Sequence, residues 1–327
     1  MILLECVCSH MVKINTIFQV LSEIEDNKMI PFVFQTMKII LKFFSHLTSN
    51  HFPFLEISSH NKQITFIFEQ FEKFYLSTLK YLQKKNQVII NNENYFGEFT
   101  SCLAKNFKLF ICFSELILVE RTFDSSFLFK WISSIFQFIH PKLFSYPNFQ
   151  IKFFLLLSII SRDFQRLTLV LGNKITEILK IISDFPLQSS IQIENQFITS
   201  KTLPSSLIFV NSLASFVIEN PSLKNNFPLE NFLEKIFNLL ISFQIDKKQV
   251  HSLSDTLFSL ICLCPNHFEL LAKETIQRYP NINFAQIFNN LLKNNNLQLT
   301  LDRKNRIIFS KNFQNFVENI SNFLIIK

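Results

Sequence analysis

The sequence predicts an all-α protein, an α-solenoid built from HEAT/armadillo-like helical hairpins. Three observations carry this expectation. Apolar residues recur with helical spacing almost throughout, glycine is nearly absent, and prolines fall mostly between the periodic segments. In "ITFIFEQFEKFYLSTLKYL", Ile64, Ile67, Phe71, Phe74, Tyr75, Thr78, Leu79 and Leu82 share one face. In "PLENFLEKIFNLLISF", Leu229, Phe232, Leu233, Ile236, Phe237 and Leu240 repeat the rhythm. Such spacing gives a helix one apolar stripe to bury, whereas a strand needs alternation of period two, which is hard to find here. The only glycines are Gly97 and Gly172. Tight hairpins, phosphate loops and nucleophile elbows depend on glycine's positive φ and small size, so none can be built in standard form.

Taken in order, the spacing predicts helices over roughly 2–24, 31–48, 62–84, 96–120, 125–139, 148–161, 163–184, 205–219, 229–243, 247–263, 267–278, 282–294 and 304–325. Asp124 is placed to cap the fifth of these and Pro228 to open the ninth. Many are apolar over more than one stripe, as a helix packed on two sides requires. Paired into hairpins of roughly 40–47 residues, they match the HEAT or armadillo rhythm, although no strict sequence repeat is visible. A globular helical bundle is the alternative arrangement. We expect a single solenoid over residues 1–327, weakest at the polar stretch 186–203. Its apolar start, Met1-Ile2-Leu3-Leu4, suggests the downstream part of a longer stack, because a solenoid's free end needs a polar face.

Composition narrows the function. Hydrophobic residues make up 48% of 327 residues, with 42 Phe, which is ample for a continuous core. Phe, Ile, Asn and Lys together are also the signature of an AT-rich coding sequence. The net charge of +7 comes from scattered pairs such as Lys84-Lys85 and Lys247-Lys248. A nucleic-acid binder gathers its charge on one face, so a solvated Lys-rich surface is expected and no nucleic acid. The longest uncharged run, Thr202 to Ile218, is too short and too polar for a membrane span. The N-terminus lacks the basic region and cleavage site of a signal peptide. The six cysteines lie in apolar runs and read as reduced, buried thiols.

Candidate chemistry is sparse. Cys262, Cys264 and His267 cluster around Pro265. Zinc needs about four converging ligands, and residues two apart on a helix point about 200° apart. A corner reading explains more of the stretch: Pro265 stops one helix, Asn266 caps the next, and Glu269 reaches back. Glu23, Glu25 and Asp26 crowd a helix end, and Glu230 and Glu234 sit one turn apart; both groups read as solvated surface. The seven histidines have no identifiable catalytic partner, and Trp131 reads as a core or groove residue. No catalytic residue, cofactor or metal is expected. The candidate partner-binding residues are Phe309, Phe313, Phe316, Ile320 and Phe323, whose 4-3-4-3 spacing makes a seam suited to a partner helix or to closing the preceding repeat.

The C-terminal third adds a resemblance. "LSDTLFSLICLCPNHFELLAKETIQRYP", a polar link, and "RIIFSKNFQNFVENISNFL" resemble the C-terminal end of importin-β-type nuclear transport receptors, nearest to the transportin-SR/importin-13-like karyopherins. Phe268, Leu270 and Leu271 stand where that branch has a Phe and an aromatic–Leu pair, and Phe316 and Phe323 resemble its closing-helix anchors. The resemblance covers 245–327. It departs at Asn322 and the ending "FLIIK", where a more basic finish is usual, and in overall charge, since such receptors are acidic. It implies cargo binding in nucleocytoplasmic protein import, residence in cytoplasm and nucleus, and the small GTPase Ran as a partner if the chain belongs to a longer one. The alternative is a cytoplasmic scaffold or adaptor of the same architecture.

Overall fold

The computed structural model describes residues 2–50, 57–119, 126–161, 196–241, 249–293 and 302–324, and side chains within 9–48, 65–114, 128–161, 203–241, 249–293 and 302–320. It is all-α, with no strand among the described residues. The helices are α1 (Ile2–Ser22), α2 (Ile30–Asn50), α3 (Ile57–Asn91), α4 (Glu93–Val119), α5 (Ser126–Phe136), α6 (Pro147–Ile160), α7 (Gln196–Glu219), α8 (Leu229–Ile241), α9 (Val250–Leu263), α10 (Pro265–Arg278), α11 (Phe284–Leu292) and α12 (Arg303–Leu324). The chain packs as two compact units, the first comprising most of Met1–Ile159 and the second holding the described residues from Gln196 onward. The expected helix at 163–184, the Asp124 cap and most of the 186–203 stretch lie outside the described residues.

In the first unit the main partners are alternate helices: α1 packs on α3, and α2 on α4. The sequence accounts for this. Along α1, Met11, Asn15, Phe18 and Ser22 are buried at 4-3-4 spacing. The α3 face opposite carries Gln70, whose backbone and side-chain oxygens accept from the Asn15 amide at 2.7 and 3.1 Å. Pairing a buried Asn with a buried Gln removes the cost of burying either alone and fixes the register of the two helices. Between α2 and α4, the Lys38 ammonium meets the Glu98 carboxylate at 2.5 Å beside an apolar seam. Phe71 of α3 lies at the centre, with ring centroids 4.9 Å from Phe44 (α2), 5.2 Å from Phe113 (α4) and 4.9 Å from Trp131 (α5). Trp131 is thus a core residue, and the buried Tyr75 hydroxyl donates to its carbonyl. Burial without a cationic partner holds the Tyr75 pKa well above its ordinary value.

In the second unit α7 packs on α9, α8 lies against α9 and more lightly against α10, and α9 and α11 both receive α12. Small polar residues let α7 and α9 approach. The Ser259 hydroxyl pairs with Asn211 Oδ1 at 3.1 Å, and the Thr256 hydroxyl reaches the Leu207 carbonyl at 3.4 Å. Phe288 of α11 gathers Phe237, Phe268 and Phe316 at ring distances of 5.6, 6.1 and 5.7 Å.

Three boundaries differ from expectation. α3 runs for 35 residues, and only Asn92 separates it from α4. Asn92 accepts the Tyr95 N–H at 3.2 Å, so a single cap residue stands where the expected helices 62–84 and 96–120 left a gap. α7 begins at Gln196, and Pro204 lies inside it rather than before it. Residues 196–203 set Phe197, Ile198 and Leu203 among polar residues without a sustained helical period. Finally, Asn266 does not cap α10. Cys264, with φ −129° and ψ 55°, is the junction residue, and Pro265 takes the first helical position, where its fixed φ suits a helix and its missing N–H costs nothing.

Candidate functional site

The Cys262–His267 corner joins α9 to α10. Cys264 is buried, and its N–H closes α9 on the Leu260 carbonyl at 2.8 Å. Metal ligation requires thiolates. Burial instead pushes the Cys262 thiol up to about 12 and raises that of Cys264. No group of three or more His, Cys, Asp or Glu with metal-holding geometry occurs among the described residues. His267 sits in the first turn of α10 with Nε2 buried and unpartnered. The side chains of Cys6 and Cys8, the other closely spaced cysteine pair near the start of the sequence, lie outside the described residues.

Cys102 in α4 is pushed up to about 12, from an ordinary value of 9.0, by complete burial. An unfolded chain loses this proton first. The stability tied to Cys102 is therefore present in full below pH 9 and falls as pH rises towards 12. Urea midpoints between pH 8 and 10 are expected to decline, and less steeply in Cys102→Ala. Native Cys102 is expected to resist a thiol reagent at pH 8 until the chain unfolds.

The acidic cluster at the end of α1 has a structural role. Glu23 pairs with Lys80 at 2.7 Å and Glu25 with Lys84 at 2.9 Å, both exposed. Each carboxyl is held below its ordinary range by the hydrogen bond and charge of its lysine. Lys85, largely buried, donates to the Glu25 carbonyl at 2.6 Å and to Asn27 Oδ1 at 2.8 Å. This lysine row on α3 pins the α1–α2 connection, and Asp26 caps the short 3-10 turn that follows.

The aromatic seam of α12 is turned into the chain. Phe309 and Phe313 are fully buried, and Phe316 and Ile320 nearly so. Phe309 lies 5.0 Å from Phe258 of α9, and Phe316 lies against Phe288 of α11. The side chain of Phe323 is outside the described residues. Of the two arrangements that the spacing allowed, a partner helix or closure on the preceding helices, the structure has Phe309, Phe313, Phe316 and Ile320 packed on α9 and α11, whose apolar faces their 4-3-4 spacing matches.

A different surface is open. A groove of about 420 Å³ runs between α4 and the start of α6 in the first unit. Gly97, Ser101 and Ala104 keep the α4 side low, while Tyr146 and Ile151 form the facing wall. Its rim carries Lys105 and Lys108 from α4 and Lys152 from α6. Positions 97, 101, 104, 105 and 108 share one face of α4, so spacing places the small residues and the lysines together. Sequence reading missed this site because its two walls are far apart along the chain. A Cβ at Gly97 would meet nothing within 4 Å. Gly97→Ala is expected to stabilise the first unit by about 0.5–1 kcal/mol in urea unfolding, since glycine costs a helix interior that much.

No protein-family profile, curated protein or solved structure matches the chain. No helix among the described residues is long and apolar enough to cross a membrane.

Proposed function

We propose that the chain is a non-catalytic, protein-binding α-solenoid of HEAT-like hairpins, used as a nuclear transport receptor uses its cargo-contacting repeats. The observation that carries this reading is the alternate packing of α1 on α3 and α2 on α4, the arrangement of a two-layer stack of hairpins. Such a stack presents long ridges and grooves, and it binds by shape. The sequence resemblance over 245–327 gives the reading its transport component: protein cargo, passage between cytoplasm and nucleus, and, where the chain is part of a longer one, the small GTPase Ran as a partner. A basic balance of +7, against the acidity of such receptors, favours a second reading as a cytoplasmic scaffold of the same architecture.

The native protein, immunoprecipitated with an antibody raised against residues 286–327, tests both. Stoichiometric partner proteins released by Ran loaded with non-hydrolysable GTP support transport. Partners held regardless of Ran support the scaffold. Absence of any stoichiometric protein partner overturns both.

A further inference from the structure

The α4–α6 groove combines features that together select one kind of occupant. Its walls are mainly apolar. Three lysines, Lys105, Lys108 and Lys152, stand around it, and none forms an ion pair among the described residues. No Asp or Glu lines it. The nearest carboxylate along the small face of α4, Glu98, is engaged by Lys38. The N-terminus of α6, opened by Pro147, adds its positive end to the same space. The volume lies in the range of pockets that hold a few side chains.

We propose that this groove docks an acidic segment of a partner protein, its carboxylates paired with Lys105, Lys108 and Lys152 and an apolar side chain seated against Ala104 and Ile151. The inference rests on the protein-binding reading above and supplies the chemistry of the partner. A nucleic-acid strand fits less well. Three lysines without arginine, and a single half-buried aromatic, Tyr146, give few phosphate contacts and little stacking surface, and the apolar walls would face a polar backbone.

Panning a random dodecapeptide display library on the full chain tests it. The expected result is enrichment of net-negative peptides containing an apolar residue. Their binding should weaken with salt and fall by at least about tenfold in Lys105→Glu/Lys108→Glu. Gly97→Leu, which fills open space without changing charge, should weaken them comparably while circular dichroism stays native. Lys273→Glu, in the second unit, should leave binding unchanged. Acidic peptides that bind both groove variants like the wild type would overturn the groove assignment and leave the protein-binding reading standing. Enriched peptides without acidic character would overturn it too. So would a single-stranded oligonucleotide that binds more tightly than the acidic peptides and loses affinity in the same variants. The immunoprecipitation above fails or succeeds independently of these outcomes.

Discussion

Deleting Arg303–Leu324 and the residues after it is expected to unfold the second unit. The helix contributes four large apolar side chains, Phe309, Phe313, Phe316 and Ile320, none more than 3% exposed. Each such burial is worth about 1.5–3 kcal/mol, together about 6–12 kcal/mol. A whole domain is stable by only about 5–15 kcal/mol, so the loss is of the same size as the stability itself. The deletion also bares Phe258 and Phe288 on α9 and α11, which invites aggregation. Limited proteolysis of the truncated chain should cut readily between 196 and 293 while the first unit resists. A truncated chain that remained soluble and protease-resistant throughout would mean that α12 is dispensable, and the seam would return as a candidate partner surface.

The second large effect belongs to the first unit. Phe71→Ala is expected to cost about 3–5 kcal/mol, the usual range for emptying a core phenylalanine site. Phe71 is fully buried and touches rings from α2, α4 and α5, so collapse around the void would require three helices to shift at once. Trp131 reports the change directly. It is the only tryptophan of the chain, and its ring centroid lies 4.9 Å from that of Phe71. Urea unfolding followed by Trp131 fluorescence should show a lower midpoint with an unchanged slope. Ile39→Ala is the matched control, since Ile39 is 68% exposed and its loss should shift stability by no more than about 0.5 kcal/mol.

The helices were legible wherever burial imposed a period. Phe71, Phe74, Tyr75 and Thr78 of α3, and Phe232, Leu233, Ile236 and Phe237 of α8, are buried on the face that their spacing marks out. Legibility failed where a helix continues through polar residues. In the last turns of α3 the buried row runs through Lys85 before reaching Ile89, the first turns of α7 carry no sustained apolar period, and α7 accommodates Pro204 in its interior. The Cys264 corner was legible as a break but not in its cap. Proline at the first helical position and asparagine at the cap are both favourable, and only one register satisfies the chain on either side.

The candidate groove was not legible. Lys105 and Lys108 look like ordinary solvated charge in the sequence, and nothing there brings Lys152 beside them. Gly97 and Ala104 mark close approach or open space equally well. By contrast, the α12 seam was fully legible as an apolar face. What the sequence did not decide was whether another protein or the chain itself would cover it, and that depends on the matching rows of α9 and α11.

The functional reading stands on alternate helices stacking in two layers, and disulfide trapping tests that stacking most directly. Asn15 in α1 and Gln70 in α3 are in hydrogen-bond contact although they are 55 residues apart. The double variant Asn15→Cys/Gln70→Cys should form an intramolecular disulfide between those two positions under mild oxidation, mapped by mass spectrometry of non-reduced peptides. Rapid formation of that bond is the result the account predicts. Reduced thiols at both positions in a chain that is folded by circular dichroism, or disulfides only between chains, would contradict the α1–α3 packing and with it the proposed solenoid and the protein-binding function proposed from it.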